Sequence, residues 1–115
     1  MQVYDEANAL AKAIRESDVC REYRGLKEEI DGNETNRALI REYKKLQMQL
    51  QLAAVSGANA PDADVQRFQQ IGALLFAQPA TSRFLLCEIR VQQMMADVYK
   101  ILGDAAGLDM EMPGM

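Results

Sequence analysis

The chain has 115 residues, 49% of them hydrophobic and 26% charged, with only three prolines and seven glycines to interrupt it. That is the composition of one globular domain rich in helix formers, and too poor in turn residues for a many-stranded β-sandwich or barrel. A net charge of −4 works against nucleic acid and anionic membrane surfaces as partners, and the complete absence of histidine removes Ser-His-Asp and Cys-His catalysis and most zinc sites.

Apolar residues recur with helical spacing in five stretches. The first, over 3–16, places Val3, Ala7, Leu10 and Ile14 on one stripe. Ser17 and Asp18 read as a capping pair between the first helix and the second. The second helix runs to about residue 30, with Val19, Tyr23, Leu26 and Ile30 as its apolar side. Asp31-Gly32-Asn33 reads as a turn closed by left-handed backbone. The third helix, over 34–55, carries Leu39, Tyr43, Leu46, Leu50 and Ala53 toward a core. A loop from Ser56 to Pro61 follows, then a fourth helix over 62–77 with Val65, Phe68, Ile71 and Leu75 on one side. Gly72 inside it costs about 1 kcal/mol against Ala unless a neighbouring helix uses the space. A fifth helix over 80–102, after Pro79, is expected to stop at Gly103. The expected architecture is all-α, an antiparallel bundle of about five helices with a long third and fifth. Residues 1–106 are read as a single domain and 107–115 as a mobile tail.

Two faces exceed what one core requires. On the fifth helix, Phe84, Cys87, Val91, Met94, Val98 and Ile101 form one stripe. Leu85, Ile89, Ala96 and Tyr99 form another beside it, with Met95 and Leu102 between. Together they cover well over half the circumference, against the roughly 100° that a surface helix needs. Either this helix is central in its own bundle or the excess packs on a second subunit. Glu88 falls inside the apolar arc, as a partnered structural carboxylate or as a polar point on an interface. On the third helix, Arg37, Arg41, Lys44 and Lys45 lie opposite the core stripe, and Met48, Leu52 and Val55 continue that outer face. Such a face is a solvated surface, a dock for an acidic partner helix, or a contact for RNA phosphates. No stacking aromatic accompanies the basic residues, which argues against the RNA version.

The candidate protein-interaction residues are therefore Met48, Leu52, Val55, Phe84, Leu85, Glu88, Met94 and Met95. The candidate basic face is Arg37, Arg41, Lys44 and Lys45. No glycine-rich phosphate loop, nucleophile elbow or metal-ligand spacing occurs, so no catalytic, cofactor or metal residues are assigned and no enzyme activity is expected. Cys20 and Cys87 stand far apart and read as reduced packing residues. The first residues lack the pattern of a signal peptide. Apolar runs such as Leu52-Ala53-Ala54-Val55 are too short to span a bilayer, so a cytoplasmic protein is expected.

Ala7, Leu10, Ile14 and Ser17, then Tyr23, Leu26, Lys27, Ile30 and Asp31, then Tyr43 and Gln47, form a pattern that continues past Gln78-Pro79. With Phe84, Leu85, Glu88, Met94 and Val98 it spans residues 3–103 and resembles the YlbF/YmcA family of small bacterial helical proteins, its YheA-like branch included. The resemblance implies a regulatory or scaffolding protein that self-associates and binds other proteins. Some family members influence competence, sporulation, biofilm formation and messenger-RNA processing. The resemblance further implies that such members form a complex with which iron–sulfur clusters are associated, but this chain offers only Cys20 and Cys87 and lacks a cysteine-rich tail. The resemblance carries over no catalytic residue.

Overall fold

The computed structural model describes residues 2–108. The expected mobile tail falls largely on residues 109–115, which lie outside the described residues, as does Met1. Five helices follow one another: α1 Val3–Glu16, α2 Asp18–Asp31, α3 Glu34–Ser56, α4 Asp62–Ala77 and α5 Pro79–Ala106. No strand occurs among the described residues, and the third and fifth helices are the longest, at 23 and 28 residues. The fold class is the one that the apolar spacing predicts.

The joints show how the sequence punctuates itself. Ser17 leaves helical geometry, and its Oγ donates to the Ile14 carbonyl at 2.6 Å and accepts from the Cys20 amide at 3.4 Å. One hydroxyl thus closes α1 and caps α2, as its position predicts. The next turn differs from expectation. Neither Gly32 nor Asn33 takes left-handed backbone, and Asn33 instead caps α3, its Oδ1 accepting from the Asn36 amide at 3.0 Å. Left-handed geometry falls on Gly57, after α3, and on Gly107. The fifth helix begins one residue earlier than expected, because proline suits a first helical turn. It also runs through Gly103 rather than stopping there. The Gly107 amide bonds to the Asp104 carbonyl and the Leu108 amide to the Gly103 carbonyl, both at 3.2 Å. This paired closure satisfies the terminal carbonyls three to four residues further on. Gly107 and Leu108 thus close α5 just beyond its last residue, Ala106.

The chain separates into two compact units, one formed by Gly25–Phe84 and the other by the segment up to Arg24 together with the segment from Leu85 onward. Gly25–Phe84 contains Leu26, Ile30, Ile40, Leu46, Ile71, Leu75 and Phe84 as buried apolar side chains. Here α3 packs on α4. The Tyr43 ring stacks on Phe68 with centroids 4.6 Å apart and meets Phe76 edge-on at 6.4 Å. Gly72 lies against the stacked ring, and a Cβ there would come 3.3 Å from Tyr43 Cε1. The close approach accounts for a glycine inside a helix. Thr81, fully buried, donates through Oγ1 to the Leu75 carbonyl and lies 3.3 Å from the Gln78 carbonyl, fastening the start of α5 to the end of α4. In the other unit burial is sparse: Cys20, Leu85, Cys87 and Gly103 are buried, and α1 has no buried residue at all.

Candidate protein-interaction surfaces

The outer face of α3 is built by spacing alone. Residues 37, 41, 45, 48, 52 and 55 advance by three or four, so they stay on one side of a 3.6-residue helix. The packing of Tyr43 and Leu46 inward fixes which side that is. Met48, Leu52 and Val55 are 64%, 63% and 85% exposed, an apolar strip open to solvent. Arg37, Arg41 and Lys45 are exposed on the same side, and Arg37 reaches Glu34 at 4.0 Å. Lys44 departs from the expected row. It is half-buried, with Nζ 5.6 Å from the centroid of the Phe84 ring, where the π face attracts the ammonium. The basic face is therefore not four parallel cations. Beside it, Arg67 donates to both carboxylate oxygens of Glu42, at 2.8 and 3.1 Å. The pairing lowers the Glu42 carboxyl below its ordinary range and raises the Arg67 guanidinium.

The candidates on α5 divide. Phe84 and Leu85 are only 4% and 5% exposed. This corrects their assignment as interaction residues: core packing has already used their surface. Met94 and Met95 are half-buried, as are Val91 and Val98. The open apolar side chains are Leu86, Ile89, Tyr99, Ile101 and Leu102, each between 45% and 65% exposed. Ile89 and Tyr99 belong to the second stripe of the helix, whereas Ile101 ends the first and Leu102 lies between them. Glu88 is half-buried and accepts from the Tyr23 hydroxyl at 3.2 Å. A carboxylate set among apolar residues and held by a phenol reads as structural.

Cys87 lies beneath this region, its Sγ 3.5 Å from the Val19 carbonyl. Burial pushes its thiol up, with Glu22 and the Cys20 thiol adding and Arg90 opposing. Cys20 and Cys87 are both buried free thiols. Among the described residues no group of three or more His, Cys, Asp or Glu side chains comes together to hold a metal ion. No described helix is long and apolar enough to cross a membrane. Two features escaped the sequence pattern: the Glu42–Arg67 pair, whose members are 25 positions apart, and Thr81, whose place just after Pro79 was the available sign of a helix-start hydroxyl.

Comparison with known proteins places these surfaces in context. A UPF0342 protein of Caldicellulosiruptor saccharolyticus is 30% identical over 113 residues, covering 98% of this chain and 94% of its own. Similar likeness, 31% over 105 residues, links the chain to a UPF0342 protein of Desulfitobacterium hafniense, covering 91% of this chain and 85% of that one. Among solved structures, a protein of unknown function (DUF964) from Bacillus stearothermophilus superposes with a TM-score of 0.73 at 20% identity, over 91% of this chain and 92% of that one. A chain of the crystal structure of Bacillus subtilis RicA in complex with RicF gives a TM-score of 0.59 at 22% identity, over 91% of this chain and 93% of that one. These two structures share the fold. The family described as control of competence regulator ComK, YlbF/YmcA, matches residues 3–105, nearly the whole described chain. By that match the chain belongs to the YlbF/YmcA family.

Proposed function

We propose that this protein is a non-enzymatic, cytoplasmic regulatory or scaffolding protein that self-associates and binds other proteins through the open faces of α3 and α5. The observation that carries the reading is the solvent-exposed strip Met48, Leu52 and Val55, which continues directly from Arg37, Arg41 and Lys45. A contiguous apolar strip with a cationic end suits the apolar and acidic side chains of a partner helix. The family match supports a regulatory role, and the RicA–RicF complex supplies a precedent for protein partners on this fold. Direct RNA binding by Arg37, Arg41, Lys44 and Lys45 is the weaker reading, since Lys44 is turned toward Phe84.

The test compares wild-type protein with Met48→Glu/Leu52→Glu as bait in nuclease-treated extract of the native organism. Both positions are exposed, so the double variant keeps the wild-type helical circular dichroism. A protein that the wild type retains is expected to be lost by the variant at least about tenfold, as removal of central apolar contacts costs about 1–2 kcal/mol or more. Equal retention by both baits removes the α3 face from the reading. Nuclease-sensitive, salt-sensitive capture would favour the RNA alternative.

A further inference from the structure

The chain has two cysteines, Cys20 on α2 and Cys87 on α5, far apart in sequence. The fold brings both into the unit formed by the segment up to Arg24 and the segment from Leu85 onward. Among the described residues of that unit only Cys20, Leu85, Cys87 and Gly103 are buried, so half of what it covers is thiol. The Cys87 thiol donates to the Val19 carbonyl at 3.5 Å. One peptide bond joins that carbonyl to Cys20, and covalent geometry therefore holds the Cys87 sulfur within about 6 Å of the Cys20 Cα. Cys20 is also near enough to add to the upward push on the Cys87 thiol.

A disulfide needs its two Cα atoms about 4.4–6.8 Å apart and its sulfurs turned toward each other. A sulfur already within about 6 Å of the opposite Cα lies in the range that side-chain rotation and a small shift of α2 against α5 can close. The thiols rest reduced, because burial holds the Cys87 proton in place and only a thiolate exchanges. Reaction therefore waits on a local opening. This unit is where such an opening is easiest, since α1 contributes no buried residue to it. Cys20, at 8% exposure against 2% for Cys87, is the thiol that an opening uncovers first.

We propose that Cys20 and Cys87 are a reversible dithiol–disulfide pair, a redox-operated lock between the start of α2 and α5 whose oxidant is a low-molecular-weight disulfide. The Cys20 thiolate attacks one sulfur of the oxidant, whose S–S bond breaks, and one small thiolate leaves. Cys87 then gives up its proton and attacks the Cys20 sulfur of the mixed disulfide, releasing the second small thiolate. One protein S–S bond forms and one small S–S bond is lost; the protons of the two cysteines end on the two small thiols. The new bond closes a loop that contains the whole of Gly25–Phe84, so it takes freedom from the unfolded chain. It requires nothing of the open apolar strips of α3 and α5, and stands or falls separately from partner binding.

The experiment equilibrates the full chain with oxidised and reduced glutathione at fixed ratios, once folded and once in urea, starting from both the reduced and the oxidised protein. Free thiols are then alkylated and intact mass is measured. The folded chain is expected to form the internal bond with an effective thiol concentration at least about tenfold above that of the urea-unfolded chain, because the fold holds the two cysteines together. Trypsin should release residues 16–21 joined to residues 84–90, and dithiothreitol should separate them. The oxidised chain should unfold at a higher urea concentration than the reduced one. Cys20→Ser and Cys87→Ser should each bind at most one glutathione and show no such shift. An effective concentration in the folded chain equal to or below that of the unfolded chain overturns the pair. So does glutathione on both cysteines without a link, or a bond formed only between chains. The wild-type comparison of folded and unfolded protein decides the matter even where a serine variant fails to fold.

Discussion

The two units use apolar residues in opposite ways. In Gly25–Phe84, where α3 packs on α4, Ile71, Leu75 and Thr81 lose all contact with solvent. In the unit containing α1 and the later part of α5, the stripe Val3, Ala7, Leu10, Ile14 is as regular as any in the chain, yet nothing on α1 is buried. Leu10 and Ile14 reach only half burial and Val3 remains 78% exposed. Periodicity therefore identifies which side of a helix seeks cover without saying whether its own chain provides it. The difference teaches that full burial is concentrated in one unit, although both units also carry open apolar side chains, Met48, Leu52 and Val55 in one and Ile89, Ile101 and Leu102 in the other. One unit closes a core with fully buried side chains, while in the other the helical stripe of α1 reaches half burial at most.

The sharpest way to break that contrast is to make the same deletion in both units. Ile71→Ala is expected to lower unfolding free energy by about 3 kcal/mol, since a fully buried isoleucine loses both transfer energy and packing. Ile14→Ala, in half-buried α1, should cost about 1 kcal/mol or less in dilute monomer. Urea unfolding of the two variants measures the difference; equal losses would mean that α1 is as firmly packed as α4. If the proposed subunit contact also shields α1, the Ile14→Ala cost should grow with protein concentration.

A smaller effect is expected at the joint between α4 and α5. Thr81→Val keeps the shape of the side chain but removes the donor to the Leu75 carbonyl. Loss of that buried bond should cost about 1–2 kcal/mol and accelerate amide exchange in the first turns of α5. Unchanged stability and exchange would show that the hydroxyl does not fasten the joint. The smallest effect concerns Glu42. Its folded carboxyl lies below the ordinary value because Arg67 holds the charged form. The resulting stabilisation is present above the unfolded carboxylate value of about 4.3 and fades as pH falls through the lower folded value. Glu42→Gln should thus differ from wild type slightly at neutral pH, and the two should converge under acid conditions. Because both side chains are close to half exposed, salt should diminish the difference further. Divergence toward acid would reverse the assigned sign.

The sequence by itself determined the five helices, because helix periodicity and capping are local. Ser17, Pro79 and the loop after Ser56 punctuate the chain where those rules place them. It also determined the open strip of Met48, Leu52 and Val55, which follows from three- and four-residue steps once Tyr43 and Leu46 face inward. Tertiary structure alone decided the rest. Phe84 and Leu85 look like surface anchors in the α5 pattern, but they are drawn into the core, since periodicity ranks faces and does not rank the neighbours that cover them. Lys44 joins a basic row by spacing and leaves it for the Phe84 ring, a contact between residues 40 positions apart. The end of α5 moved past Gly103 because a glycine stops a helix only where the backbone can reverse and satisfy its last carbonyls. Here Gly107 supplies that reversal. Local hydrogen bonding and side-chain geometry are written in neighbouring residues, whereas burial depends on which distant surfaces meet.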